Sequence, residues 1–332
     1  MMDKQKLTVL IVGCGNIAGR FDEQRSPESL PYTHAGAYRQ DGRFEVLACV
    51  DPDAQRRQAF MQYWSVDQGF AAIEDAVSAG YAYDVISLCS PSSAHFQDLQ
   101  TVIRLKPKLI FCEKPVTYSV QDTEKIIAAC AASNILLLVN YTRTWDPAVI
   151  RLKANIATGL WGELRAITGL YNKGILNNGS HMLDLLYFLL GSMTVLKVGR
   201  PVFDFFSDDP TVSVFLEDSH GLPIHLVAGH AEDYAVFELQ LVFSKGILVM
   251  EEGGLSWRER GVEDNAIIQG YRRLTEGHFR QGEYGQAMLG AVDHIYHAIN
   301  SGAKLLKSGE QALKVQRLCE QIKQVALATE IG

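Results

Sequence analysis

The sequence predicts an α/β protein: an N-terminal doubly wound parallel sheet, then an α+β domain with a large open, mostly antiparallel sheet. Three observations support this. Strand-like and helix-like segments alternate up to residue 139, the rhythm of crossover units whose helices cover both faces of a parallel sheet. From residue 193 to 250 strands follow one another with only turn signals between, as neighbouring antiparallel strands do. The first strand also runs directly into Gly13-Cys14-Gly15-Asn16-Ile17-Ala18, a Gly-x-Gly-x-x-Ala turn.

Residues 7–12 are a β-rich apolar run, the signature of a strand buried on both faces. Gly13 allows the tight turn, Gly15 lets the backbone approach a diphosphate, and Ala18 lets a helix starting at Asn16 pack on the strand. Phosphates then sit on unpaired N–H groups at that helix N-terminus. Together these make residues 1–142 a Rossmann-type NAD(P)-binding domain, with an ordinary strand–turn–helix as the alternative. Residues 22–33, with Pro27 and Pro31, read as a long loop. The second strand, 44–50, ends at Asp51, where an acid accepts from the adenosine ribose hydroxyls. The interval from the glycines exceeds the usual roughly 20 residues, and the 22–33 insertion accounts for the excess. Asp51 repels the extra phosphate of NADP and favours NAD. Arg56 and Arg57 keep NADP open.

Helices are expected over 53–64, 73–79, 92–105 and 119–132, and strands over 83–88, 109–112 and 135–139. Ser90-Pro91 and Glu113-Lys114-Pro115 stand at two of the strand tips, where doubly wound sheets bind ligands. Residues 143–332 are read as the second, α+β domain. It contains a helix over 147–157, a strand over 163–171 and a strongly apolar helix over 178–190. Strands follow over 195–198, 212–215, 224–228, 236–243 and 247–250, and helices over 284–299 and 310–327 close the chain.

At 332 residues the chain is long enough for two domains with real cores. Its net charge of −7 argues against nucleic acid or an anionic membrane as partner. The six cysteines form no Cys-x-x-Cys, and reduced thiols of a cytoplasmic protein are expected. Lys4 and Lys6 before the apolar run mimic a leader, but the run is too short and ends in the Gly13 turn. No segment approaches a membrane span, and no metal-ligand spacing is found.

Two stretches carry candidate chemistry. Lys114, fixed in direction by Pro115, is a cation able to hold a substrate oxygen as alkoxide character develops; its alternative is a solvated lysine opening a loop. Asn177-Asn178-Gly179-Ser180-His181-Met182-Leu183-Asp184 opens the apolar helix, with either asparagine as a cap. His181 and Asp184 share a helix face, and a neutral histidine takes a proton near pH 7. A capped helix whose polar groups bond only to backbone is the alternative. His225, His230, His294 and His297 form no constellation.

With these motifs in order, VGCGNIA, VDPD, LCSPSSAH, EKP and NGSHMLDLL, the chain resembles the Gfo/Idh/MocA oxidoreductases, typified by glucose–fructose oxidoreductase and inositol dehydrogenase. The resemblance implies hydride transfer between a nicotinamide and a sugar or polyol carbon. It makes Lys114 the contact to the reacting oxygen and His181 the acid/base, the two converging on one substrate. Asn177 and Asp184 would touch substrate. Gly13, Gly15, Asn16, Ile17, Asp51, Ser90, Pro91, His95, Glu113 and Lys114 would surround the cofactor, with Arg143 nearby. The resemblance also makes residues 143–332 the substrate-binding and oligomerisation domain, with a homodimer or homotetramer formed through the C-terminal sheet. The phrase YNKGILNNGSH resembles members acting on nucleotide-sugars, which adds Tyr171 and Lys173 as contacts to a larger, anionic substrate. Asn177 stands where many members carry aspartate, and an amide neither accepts a proton nor lends charge to His181. That departure keeps open an NAD(P)-binding regulatory or scaffold protein. A redox-assisted NAD-dependent glycosidase is the remaining alternative.

Overall fold

A computed structural model describes residues 6–26 and 28–328; Lys4 and Pro27 lie outside the described residues. Two compact units form, one from Met1–Trp145 with Gly285–Lys314, the other from Asp146–Tyr284 with Val315–Gly332.

In the first unit β1 (Leu7–Val12), β2 (Phe44–Val50), β3 (Gln68–Phe70), β4 (Val85–Leu88), β5 (Leu109–Cys112) and β6 (Leu136–Val139) pair in the order β3-β2-β1-β4-β5-β6. Every pair is parallel. Parallel strands have both faces covered, which is why β4 and β5 are buried at every residue. The order reverses between β1 and β4, so ligands of this topology bind beyond the C-terminal ends of those strands. The helices are α1 (His34–Asp41), α2 (Ala54–Trp64), α3 (Ile73–Ser78), α4 (His95–Val102) and α5 (Val120–Ala132). Side chains of Thr33, Asp53 and Ser119 cap α1, α2 and α5 by accepting from backbone N–H groups of their first turns.

The helix expected from Asn16 is only a turn. Gly19 N–H and Phe21 N–H donate to the carbonyls of Gly15 and Asn16, and the chain then leaves through a 3-10 turn at Arg20–Asp22. The Asp22 carboxylate turns it back, accepting from Tyr32 N, Thr33 N and Thr33 Oγ1. The N–H groups of His34 and Ala35 then donate to the carbonyls of Ile17 and Ala18, 3.1 and 2.9 Å away. The excursion is thus spliced into one helix, which explains the long interval between the glycines and Asp51.

Residues 285–314 add α8 (Ala287–Ser301) to this unit. Trp145 and His294 pack with ring centroids 5.1 Å apart, and Gly290 lies against the Trp145 carbonyl.

In the second unit β7 (Leu164–Tyr171), β8 (Met193–Val202), β9 (Thr211–Asp218), β10 (Pro223–Ala228), β11 (Phe237–Phe243), β12 (Gly246–Glu251), β13 (Ser256–Asp264), β14 (Arg272–Leu274) and β15 (His278–Gln281) make one sheet. Its order is β14-β13-β12-β11-β7-β10-β9-β8, with β15 also on β13. Only β7 with β10 is parallel. β13 to β15 escape the sequence reading because Arg258, Glu259, Glu263 and Asp264 on β13, with Arg272, Arg273 and Arg280 on the strands beside it, mask the alternation. The helices are α6 (Pro147–Thr158), α7 (Gly179–Leu190) and α9 (Gly309–Ala328), the last running from the first unit into the second. α7 is apolar nearly all round and correspondingly buried. All six cysteines are buried and none forms a disulfide. No helix among the described residues is long and apolar enough to cross a membrane.

Candidate active site

Gly13 and Gly15 meet opposite demands. Gly13 has φ +86°, and a Cβ there would lie 2.6 Å from Ser90 N and 2.7 Å from the Cys89 carbonyl. Only glycine lets the β1 turn press against the tip of β4. A Cβ on Gly15 would meet nothing within 4 Å. The space it faces is a cradle into which backbone can be approached by a ligand, as a diphosphate requires. Asn16 is exposed and Ile17 half-buried on the same turn.

Asp51 is almost wholly covered. Its Oδ2 accepts from Cys14 N at 2.9 Å and from Arg56 Nη1 at 3.4 Å, and its Oδ1 from Asp53 N at 2.9 Å. Oδ1, with one donor, retains acceptor capacity for a ribose hydroxyl. Arg57 donates to the Asp51 carbonyl, so both arginines are tied to this corner. Beyond it lies an open cavity of about 300 Å³ lined by Arg20, Glu23, Asp53, Gln55, Arg56 and Ala59. The turn, the acid and the open space fit a dinucleotide.

Glu113 and Lys114 leave the tip of β5. Glu113 Oε1 is held by His34 Nε2 at 2.9 Å and by Asn140 Nδ2 at 2.7 Å. His34 Nδ1 lies 3.1 Å from Ser87 Oγ, which is 2.8 Å from the Tyr38 hydroxyl. Burial pushes the Glu113 carboxyl up, but His34, Asn140 and the adjacent Lys114 charge outweigh it and leave it below the usual range. Lys114, half-buried, precedes Pro115 through a cis peptide bond. Ser90 Oγ donates to Asp98 Oδ2 at 2.6 Å, and Pro91 is exposed. Arg143 is half-buried in a 3-10 turn, Thr142–Trp145. His95, expected beside the cofactor, is fully buried, with Nδ1 2.8 Å from the Pro115 carbonyl and Nε2 2.9 Å from the Ser90 carbonyl.

In the second unit the 171–184 segment is built differently. Tyr171, expected as a substrate contact, is fully buried at the end of β7, and its hydroxyl donates to the Val212 carbonyl at 2.7 Å and accepts from Val212 N. Lys173 has φ +64°, its N–H donates to Asp204 Oδ2, and its ammonium lies 5.2 Å over the Phe205 ring. A π-turn, Gly174–Asn178, then runs straight into α7. Such turns often mark functional sites.

The side chain of Asn178, the residue before α7, makes no capping hydrogen bond. Asp209 serves as the cap from a distance, accepting Leu176 N and Asn177 N at 2.9 Å each. Burial raises the Asp209 carboxyl, against these two backbone hydrogen bonds. The Asn177 amide donates to the Lys173 carbonyl at 3.1 Å, closing the turn. His181 is half-buried in the first turn of α7, and Asp184, three residues on, is buried.

Sequence reasoning missed Asp204, Asp209, His34 and Asn140. Asp204 also accepts from Thr211 Oγ1 and Ala231 N, so it ties Lys173 to two further loops. Residues 208–210 carried only a turn signal, and no spacing rule reaches across 30 residues. No cluster of three or more His, Cys, Asp or Glu side chains among the described residues is placed to hold a metal ion.

Comparison with known proteins points the same way. Residues 7–141 match the model of GFO_IDH_MocA, described as an oxidoreductase family with an NAD-binding Rossmann fold. Inositol 2-dehydrogenase of Rhizobium meliloti (strain 1021) is 24% identical over 269 residues, 74% of this chain and 79% of that protein. Matches to the next three curated relatives span 22%, 27% and 48% of those proteins. Among solved structures, the WlbA dehydrogenase from Bordetella pertussis, in complex with NADH and UDP-GlcNAcA, has a TM-score of 0.74 at 19% identity, covering 97% of this chain and 96% of that one. An NAD binding oxidoreductase from Klebsiella pneumoniae has a TM-score of 0.78 at 16% identity, covering 98% of each chain. At such identities the likeness concerns the fold.

Proposed function

We propose that this chain, whose residues 7–141 match the Gfo/Idh/MocA model of NAD-binding oxidoreductases, is a dehydrogenase or reductase that interconverts a hydroxyl and a keto group on a sugar, polyol or nucleotide-sugar. The observation that carries this reading is Lys114. It stands at the tip of β5, next to a half-buried Glu113 held by His34 and Asn140, in a sheet whose first turn leaves Gly15 open to a diphosphate. Bound NAD supplies the hydride acceptor, or NADH the donor.

The protein's own side chains do the rest. The Lys114 ammonium steadies the substrate oxygen as negative charge develops on it, a charge that preorganised donors stabilise strongly. His181 removes the hydroxyl proton in oxidation and returns it in reduction. Asn177 hydrogen-bonds a substrate hydroxyl instead of lending charge to His181, and Asp184 orients the first turn of α7. The glycine turn, Asn16 and Ile17 hold the diphosphate, and Asp51 the adenosine ribose. Ser90, Pro91, Glu113 and Arg143 border the nicotinamide side.

The B. pertussis structure was solved with a UDP-sugar acid, which supports testing nucleotide-sugars first, with Lys173 as the contact for an anionic substrate. We also propose a homo-oligomer formed through the open face of the nine-stranded sheet, where Leu196 is exposed and an exposed Phe215 stacks on His225 at 3.9 Å. Sedimentation velocity of the wild type and of Phe215→Asp tests this, and a wild-type monomer refutes it.

The central test is a panel of free and UDP-linked sugars assayed at 340 nm with NAD and with NADP. Turnover on one class, lost in Lys114→Ala and in His181→Ala, is expected. NADH binding without turnover across the panel would overturn the reading in favour of a regulatory role.

A further inference from the structure

We propose that the second unit carries a separate saccharide pocket, between α6 and the β13–β15 edge of its sheet, that takes a single uncharged sugar ring. A cavity of about 240 Å³ lies there. Its wall includes Arg151 and Asn155 of α6, Trp161 from the turn after that helix, Trp257 and Glu259 of β13, and Arg280 of β15. None of these belongs to the 173–184 segment.

Regular structure brings these side chains together. Arg151 and Asn155 are four apart and share one face of α6. Trp257 and Glu259 are two apart on β13 and share one face of the sheet. Arg280 stands directly opposite Trp257 in the β13–β15 register, and its guanidinium lies 5.0 Å from the centre of the Trp257 ring. Trp161 is wedged in place. Its ring packs on Phe243 with centroids 6.4 Å apart, and a Cβ on Gly246 would come within 2.8 Å of it.

The chemistry of this wall selects the ligand. Each guanidinium already has a carboxylate: Arg151 pairs with Glu283, and Arg280 Nε donates to Glu259 Oε1 at 2.6 Å. The charges cancel, so the cavity has no field with which to gather a free phosphate or carboxylate. Hydrogen-bonding capacity remains. A guanidinium carries five N–H groups, and the Asn155 amide both donates and accepts. Trp257 is fully buried, and its indole N–H has no hydrogen-bond partner, an arrangement that is costly unless an acceptor completes it. Interleaved donors and acceptors without net charge suit hydroxyl groups, each of which also donates and accepts. The two indoles add flat apolar surface with a polar handle, which suits the C–H face of a sugar ring. The volume falls below the roughly 300–1,000 Å³ of sites for drug-sized ligands, which limits the occupant to one ring. Neither Lys114 nor His181 takes part, so the pocket stands or falls apart from the proposed function.

The experiment uses the full chain labelled with 5-fluorotryptophan. Its four tryptophans, Trp64, Trp145, Trp161 and Trp257, are assigned by single Trp→Phe variants. Glucose, galactose, mannose, N-acetylglucosamine and myo-inositol are titrated in turn, with phosphate and acetate alongside. At least one sugar should move the ¹⁹F signals of Trp161 and Trp257, saturating with a Kd of about 1 mM or tighter, while Trp64 stays still. No movement across the panel overturns the proposal, and so does equal movement with phosphate or acetate. Trp161→Ala, followed through the Trp257 signal, should weaken sugar binding at least about tenfold and leave NADH affinity unchanged; undiminished binding in that variant overturns the pocket. Should it fail to fold, Asn155→Ala, on the half-buried face of α6, is read in the same way. Turnover of a sugar that moves neither signal, with no other sugar moving them, sinks the pocket and leaves the proposed function standing. Saturable movement that persists in Lys114→Ala, with no turnover in the wild type, does the reverse.

Discussion

The Lys114 loop and the 173–184 segment are two candidate regions held by different means. The first hangs from the end of a buried parallel strand. Its neighbours Glu113 and Pro115 are gripped by His34 at the start of α1, Asn140 just after β6 and His95 at the start of α4, all in one unit. The second is a π-turn between a strand and a helix. It takes its shape from Asp204 and Asp209, two acids of a loop about 30 residues further on. A strand tip in a doubly wound sheet is a site by topology alone. A π-turn becomes one only when some other part of the chain satisfies its N–H groups.

The sharpest way to break this comparison is at Lys114. Lys114→Ala should cut turnover by about 10²–10³-fold, the usual cost of losing one donor to a developing oxyanion, with NADH binding and melting midpoint nearly unchanged. Steady-state kinetics beside a fluorescence titration measure both. A loss of folding instead would make the loop structural.

The two glycines separate fold from ligand within the first region. Gly13→Ala combines a positive φ with backbone contacts of 2.6–2.7 Å and should destabilise the protein by about 3 kcal/mol or more, seen as a large drop in urea midpoint. Gly15→Ala meets open space, so its urea midpoint should match the wild type. Its NADH affinity should fall at least about tenfold, near 1.4 kcal/mol, because the added methyl occupies the diphosphate cradle. Equal NADH affinity would refute that placement.

For the second region, Asp209→Ala strands the N–H groups of Leu176 and Asn177 and should cost about 2–4 kcal/mol. Because this segment carries His181, kcat/KM should fall by about an order of magnitude in protein that is still folded, while NADH affinity, a property of the other unit, stays put. A variant with normal kcat/KM would show that the π-turn holds its shape without the cap.

The smallest effect concerns pH. Asp146 caps α6 by accepting Ala148 N, its second oxygen is buried without a partner, and burial raises its carboxyl to about 6. The folded state therefore keeps a proton that the unfolded state has lost between about pH 4 and 6. The penalty for the charged form is absent at pH 4 and complete above pH 6. Asp146→Asn should raise stability by about 1 kcal/mol above pH 6, once the cost of its own buried amide is counted, and have no such benefit at pH 4. Thermal melts of both proteins at pH 4 and 7.5 check the sign.

Much of this was legible before folding. The alternation up to residue 139, the glycine turn and the 22–33 excursion are local patterns, and the tips at Ser90 and Lys114 follow from them. His95 and Tyr171 were readable as polar residues in suggestive motifs. Which way they pointed was not, because a side chain on a strand end or an early helix turn can face a ligand or the neighbouring loop with the same sequence around it.

The sequence by itself determined where β1, β4 and β5 end and which residue types stand there, since buried strands and glycine turns declare themselves within a dozen residues. Only the tertiary structure decided that His95 is spent on two carbonyls, that Tyr171 is spent on Val212 and that Asp209 caps the turn before His181. Each of these is a hydrogen bond between groups 5 to 41 positions apart. The physical reason is that a buried polar group must find a partner, while the identity of that partner depends on which segments the fold brings together.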